Sequence, residues 1–190
     1  MPVNENIQIL VEGLAVSKDA PMPVANDGYR DVYAFGAVAV TPAATATDVV
    51  RLSGSATKIV RVKKVTVSGL ASTAGSMDVS LVKRTAANTG GTATAPTPGK
   101  HDSGSAAASA VLSQYSANPT AGAGIIIRNK QLNFGVAGAA GVVEFDFSRN
   151  NDKPVVLRGV AQGLAINLNG QAVPTGGAVS YDIEWEESDI

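Results

Sequence analysis

The stretch KIVRVKKVTVSGLASTAGSMDVSLVKR, running from Lys58 to Arg84, decides the fold. It reads as two strands around a loop, Ser68–Ser76, that carries Gly69 and Gly75. Valines alternating with polar residues fit a pleated, half-buried surface, and glycine, serine and threonine mark the turn between two such runs. In the second run Met77, Val79 and Leu81 share one face, while Asp78 and Ser80 share the other. The first run changes phase: Val60 and Val62 hold even positions and Val65 and Val67 odd ones, so the apolar face flips at Lys63–Lys64. Strand side chains alternate with period two, so a single inserted residue reverses the buried face. The two lysines therefore predict a β-bulge, of the kind that lets a strand bend out of one sheet and into another. The expectation is a hairpin at the centre of a two-sheet β structure.

The same reading extends in both directions. Upstream, RDVYAFGAVAV is a strand apolar on both faces and ended by Pro42, and Thr47–Leu52 is a second with Val50 and Leu52 inward. Ser53-Gly54-Ser55 turns into the central pair. Downstream, strands are expected at Ala110–Tyr115, Ile125–Ile127, Gln131–Val136, Val142–Ser148, Val155–Arg158 and Leu164–Leu168. In the last run Val179, Tyr181, Ile183 and Trp185 face inward, opposed by Ser180, Asp182, Glu184 and Glu186. No segment sustains a helical period. Residues 85–109 are rich in turn formers and poor in large apolar side chains, which predicts a long peripheral loop. Such a crossing connection suits Greek-key topology. The fold class is all-β: a jelly-roll-like antiparallel β-sandwich over 29–187, with an extended N-terminal arm over 1–28 and a short tail over 188–190. Ile7, Ile9 and Val11 give the arm one short strand. That strand is either the first of the domain's own sheet or one that adds to the sheet edge of a neighbouring subunit.

Composition sets limits on function. The 190 residues are enough to bury a core without cross-links, and the absence of cysteine excludes disulfides and thiolate metal sites. No apolar run approaches the roughly 20 residues of a membrane-spanning helix. The N-terminus lacks the basic residues of an export signal and carries Glu5 and Glu12 around IQILV. With 15 basic and 16 acidic residues the net charge is −1, so no overall field draws in nucleic acid. Charged residues make up 16% of the chain, against about a quarter in average proteins. Either other subunits cover much of the surface, or the loops are simply neutral.

Catalytic residue types are present without the spacing that catalysis needs. His101-Asp102-Ser103 are consecutive, whereas triad members meet through tertiary geometry. Glu144 and Asp146 share a strand face roughly 7 Å apart, a separation used by glycosidases but also that of any two acids on an amphipathic strand. Asp182, Glu184, Glu186 and Glu187 read as a solvated edge or as a face for a basic partner. Asn150, Asn151 and Asp152 match no calcium loop. Gly99-Lys100 lacks the upstream glycine of a phosphate loop. Lys58, Arg61, Lys63, Lys64, Lys83 and Arg84 form the one basic concentration. Without interleaved aromatics it is either an ordinary solvated face or a contact for an acidic protein surface, and not a platform for nucleic-acid bases. The expected contact residues are Ile7, Ile9 and Val11 of the arm and Lys58, Arg61, Lys63 and Lys64 of the centre. No cofactor or metal is expected.

The runs TDVVRLSGSATKIVRVKKVTVSGLASTAGSMDVSLVKRTAANTGGTATAP and VVLRGVAQGLAINLNGQAVPTGGAVSYDIEWEE resemble small all-β virion structural proteins of tailed bacteriophages. The resemblance spans roughly residues 45–187 and lies in overall phrasing, with no site motif to transfer. It implies a non-enzymatic virion component made in the host cytoplasm, foremost a capsid decoration or cement protein. Its partners would be the major capsid protein or other virion proteins, and it would itself be a homo-oligomer, a trimer before other forms, touching neither nucleic acid nor membrane. The alternative is a tail or fibre module that binds a host-surface glycan, which would require exposed aromatic residues around a concave site.

Overall fold

The computed structural model describes residues 9–11, 14–16, 30–42, 45, 47–134, 140–148 and 153–190. In chain order the strands are β1 (Ile9–Val11), β2 (Leu14–Val16), β3 (Asp31–Val40), β4 (Asp48–Ser53) and β5 (Lys58–Leu70). They continue as β6 (Gly75–Arg84), β7 (Thr92–Thr94), β8 (Gly99–Lys100), β9 (Leu112–Ala117) and β10 (Gly124–Phe134). The last four are β11 (Gly141–Asp146), β12 (Val155–Leu157), β13 (Gly163–Asn167) and β14 (Ala178–Asp189). No helix occurs among the described residues. Two antiparallel sheets pack face to face, one in the order β10-β6-β13-β4-β9-β7 and the other β11-β5-β14-β3-β8, with β12 also paired to β5.

The bulge falls where the phase flip places it. Glu184 of β14 pairs with Lys64 and Trp185 with Val62, leaving Lys63 unopposed. Val60 and Val62 before it and Val65 and Val67 after it are all fully buried. On its other edge β5 changes partner at the same point, from β12 at Val60–Val62 to β11 at Lys64–Gly69. The strand stays within one sheet throughout, so the bulge restores the buried face without carrying β5 across the sandwich.

The expected hairpin is not a hairpin. β5 pairs with β11, β12 and β14, whereas β6 pairs with β10 and β13 in the opposite sheet. Residues 71–74 therefore bridge the two sheets, a gap of about 10 Å. Ser72 N–H donates to Thr175 O at 3.1 Å at this bridge. Alternation shows that a strand has one buried face, and two such strands meet that requirement equally well side by side or across a core. Three further expectations change. The run at 125–127 and the described part of the run at 131–136, which ends at Phe134, join into the single strand β10, with a register shift between Ile126 and Arg128. The 85–109 connection is peripheral but contributes β7 and β8, one to the edge of each sheet. β14 continues through Ser188 to Asp189.

In the body, β3 pairs with β14, β4 with β13, β5 with β11 and β6 with β10, a nested order of first with last. The core between the sheets contains Trp185 at 0% exposure stacked on Tyr33 at a ring separation of 6.0 Å. Leu164, Ile166 and Leu168 face Val179, Tyr181 and Ile183 within the same buried cluster. Burying one large apolar side chain contributes about 1.5–3 kcal/mol, so this cluster supplies most of the driving force. β1 and β2 form a two-stranded sheet of their own, Ile9 pairing with Val16 and Val11 with Leu14. Ile7 lies outside the described residues, as do Asn150, Asn151 and Asp152.

Candidate functional site

The basic residues of β5 do not form a free patch. Lys58 Nζ lies 2.5 Å from Asp189 Oδ1, Lys63 Nζ 3.3 Å from Glu184 Oε1, and Lys64 Nζ 2.7 Å from Glu144 Oε2. Arg61 donates to Ser188 Oγ at 2.6 Å. The hydrogen bonds to Asp189 and Glu144 hold the Lys58 and Lys64 ammonium groups above their ordinary pKa. The acids come from β14 and β11, the strands flanking β5, so the outer face is a ladder of alternating charge. Neighbouring strands were needed to see this, because the partners are 80 to 130 residues away in the chain.

Among the described residues four charged ones, Asp48, Arg51, Arg84 and Glu187, are buried. Arg84 is buried against Asp48, with Nη2 2.6 Å from Oδ1 and Nε 3.1 Å from Oδ2. Asp48 also accepts from Asn88 Nδ2 at 2.8 Å and Asn167 Nδ2 at 2.6 Å. Arg84 Nη1 and Asn88 Oδ1 hold the carbonyl and amide of Gly122, at 2.9 Å each, which ties the turns at 85–91 and 118–123 to the sheet. Glu187 is 4% exposed, contrary to the solvated acid expected from its neighbours. It continues the inward face of Val179, Tyr181, Ile183 and Trp185, and its carboxylate accepts from the Ser109 amide and hydroxyl, the Ala110 amide and Trp185 Nε1. A buried carboxylate persists only when its lone pairs are filled, and here the chain entering β9 fills them.

Among the described residues no hydrogen bond links His101, Asp102 and Ser103 to one another, and all three are exposed. Asp102 Oδ1 accepts from the Gly104 amide at 2.8 Å, Lys100 Nζ donates to the carbonyls of Ser103 and Ser105, and His101 is exposed. They build a turn next to β8. Glu144 meets Lys64, and Asp146 accepts from Ser148 N–H and Oγ, so both acids serve local structure. Among the described residues no group of three or more histidines, aspartates or glutamates stands where it could hold a metal. Burial raises the pKa of the Tyr181 phenol, which donates to Gln114 Oε1 at 3.0 Å inside the sandwich.

The feature best placed for contact is an edge of the sandwich. At one side β7 and β8 each finish a sheet and are joined by residues 95–98, and Tyr33 OH anchors the following loop through Ala106 O at 3.0 Å. At the other side β10 and β11 end their sheets, and among the described residues β10 pairs only with β6. Part of this second edge is guarded. Arg128 lies over Phe147 and Lys130 over Phe145, and Lys130 Nζ donates to Glu144 O at 2.6 Å. Charged side chains and bulges on an edge strand discourage pairing with another chain. Among the described residues the start of β10 has no such cover: Ile125 is 70% exposed and Ile126 52%. Sequence reading placed a strand here but had no reason to place it at an edge.

No family model matches this chain, and neither a curated protein nor a solved structure does.

Proposed function

We propose that the chain is a non-enzymatic structural component of a tailed-phage particle, foremost a capsid decoration protein that contacts neighbouring subunits through the bare start of β10. The observation that carries the contact is the asymmetry between the two edges, one crossed by the chain between β7 and β8 and the other exposing Ile125 and Ile126 on a strand that, among the described residues, pairs on one side only. An exposed apolar edge strand is a template for pairing with a further strand. The phage assignment rests on the resemblance of residues 45–187, and the nested strand order of the sandwich is compatible with a jelly roll, an architecture common in viral capsid domains. Glycan recognition is less well supported. Phe145, Tyr181 and Trp185 are all buried, so they offer no stacking platform to a sugar.

A decoration protein binds assembled shell and stabilises it by mass action. The test is co-sedimentation of the purified protein with expanded heads and with unexpanded precursors. Saturable binding to expanded heads that is lost in Ile125→Lys with Ile126→Lys supports the reading, and absence of binding to either particle overturns it.

A further inference from the structure

We propose that the cleft next to the start of β10 receives an extended acidic segment of a partner protein. The proposal rests on the structural reading above and specifies the chemistry of the contact. Lys83 at the end of β6, Arg128 of β10, Lys153 just before β12 and Arg158 just after it line one open cleft of about 410 Å³. These four cations come from three separate stretches of chain, and no sequence motif links them. No carboxylate among the described residues lines the cleft, and none forms an ion pair with any of the four. The lysines of β5 show the opposite arrangement, each with its own acid. Like charges gathered in a concave site focus a positive potential that an incoming anion relieves. Of the four, Arg158 also acts on β5, where the pKa of Arg61 is lowered first by burial, then by Arg30, and least by Arg158, against an opposing effect of Glu186.

Three features favour a peptide over nucleic acid. The cleft has an apolar floor of Ile127, Pro154 and Val155, which phosphates and sugars would not use. The ring of Phe147 is already covered by Arg128, so it is not open for base stacking. The free edge of β10 offers backbone hydrogen bonds to an extended chain, and a peptide carrying acidic and apolar side chains meets edge, floor and cations together.

The test is fluorescence anisotropy with a labelled peptide of alternating glutamate and valine, and with duplex DNA of equal charge, on the full chain. The peptide should bind, more weakly as salt rises. The double variant Lys153→Glu with Arg158→Glu should weaken it at least about tenfold, a difference of 1.4 kcal/mol. Lys58→Glu with Lys64→Glu makes the same charge change away from the cleft and should leave binding unaltered. Amide shift mapping on the unmodified protein gives a readout that does not depend on the variants folding, and should locate the peptide at 124–128 and 155–158. Absence of peptide binding, equal loss in the β5 pair, shifts elsewhere, or tighter binding of the DNA would each overturn the proposal. Head binding without peptide binding would overturn the cleft alone and leave the structural role standing.

Discussion

The two edges of the sandwich are finished differently, one by the short strands β7 and β8 and the other by the longer β10 and β11. At the β7–β8 side the chain crosses from sheet to sheet, and the following loop is fixed by Glu187, a buried carboxylate from the middle of the opposite strand array. At the β10–β11 side nothing comparable among the described residues caps the start of β10. There, Arg128 and Lys130 guard only the part of the strand beyond the bulge. The difference shows that edges are not left to composition. Where the chain closes an edge it commits a buried charge to the task, and where it leaves one open the exposed residues are isoleucines, a costly choice for a surface that meets only water.

Substitutions can break or sharpen this contrast. The largest effect is expected from Asp48→Ala, which leaves Arg84 buried without its partner and releases both turns it holds. Breaking a buried pair in this way costs about 3–5 kcal/mol, to be read from urea unfolding. Glu187→Ala strands the Ser109 and Ala110 amides and should cost about 3 kcal/mol. It should also open residues 101–111 to limited proteolysis; a chain that stays resistant there would show that the loop closes the edge without its anchor. Gly141→Ala probes the far end of the open edge, where a Cβ would strike the backbone carbonyl of Asn133. Overpacking of this kind costs about 1–3 kcal/mol. In contrast, Ile125→Lys with Ile126→Lys should change stability by no more than about 0.5 kcal/mol per site while removing head binding.

The smallest effect is a pH-dependent one away from both edges. Burial, and then the charge of Glu184, raise the pKa of Asp182. A carboxyl raised in the folded state favours folding when protonated, and that contribution is lost as pH rises through its folded value. Asp182→Asn should therefore raise the melting temperature slightly at neutral pH and leave it unchanged in acid below the carboxylate range.

Periodicity made the strands legible, including the bulge at Lys63, because burial alone dictates which face each residue takes. It could not say which strands are neighbours. Met77, Val79 and Leu81 would serve a hairpin or an inter-sheet bridge equally, and the bridge is what forms. Glu187 was misread for a related reason: the acids at 182, 184 and 186 face outward, but Glu187 falls on the inward parity, and only the loop amides that meet it explain a buried charge there. The β5 cations stand out because they are close in sequence, yet each of the three lysines meets an acid and Arg61 meets the Ser188 hydroxyl. The cations at 83, 128, 153 and 158, which form no ion pair among the described residues, are scattered through the chain and gather only in the fold.

Hydrogen exchange along the free protein tests the edge asymmetry most directly. The amides of Ser109 and Ala110, bound to Glu187, should exchange nearly as slowly as the core strands, and the outward-facing amides at the start of β10 should exchange fast. Slow exchange throughout Gly124–Ile127 in the free chain would contradict the account, since it would mean that this edge is already covered.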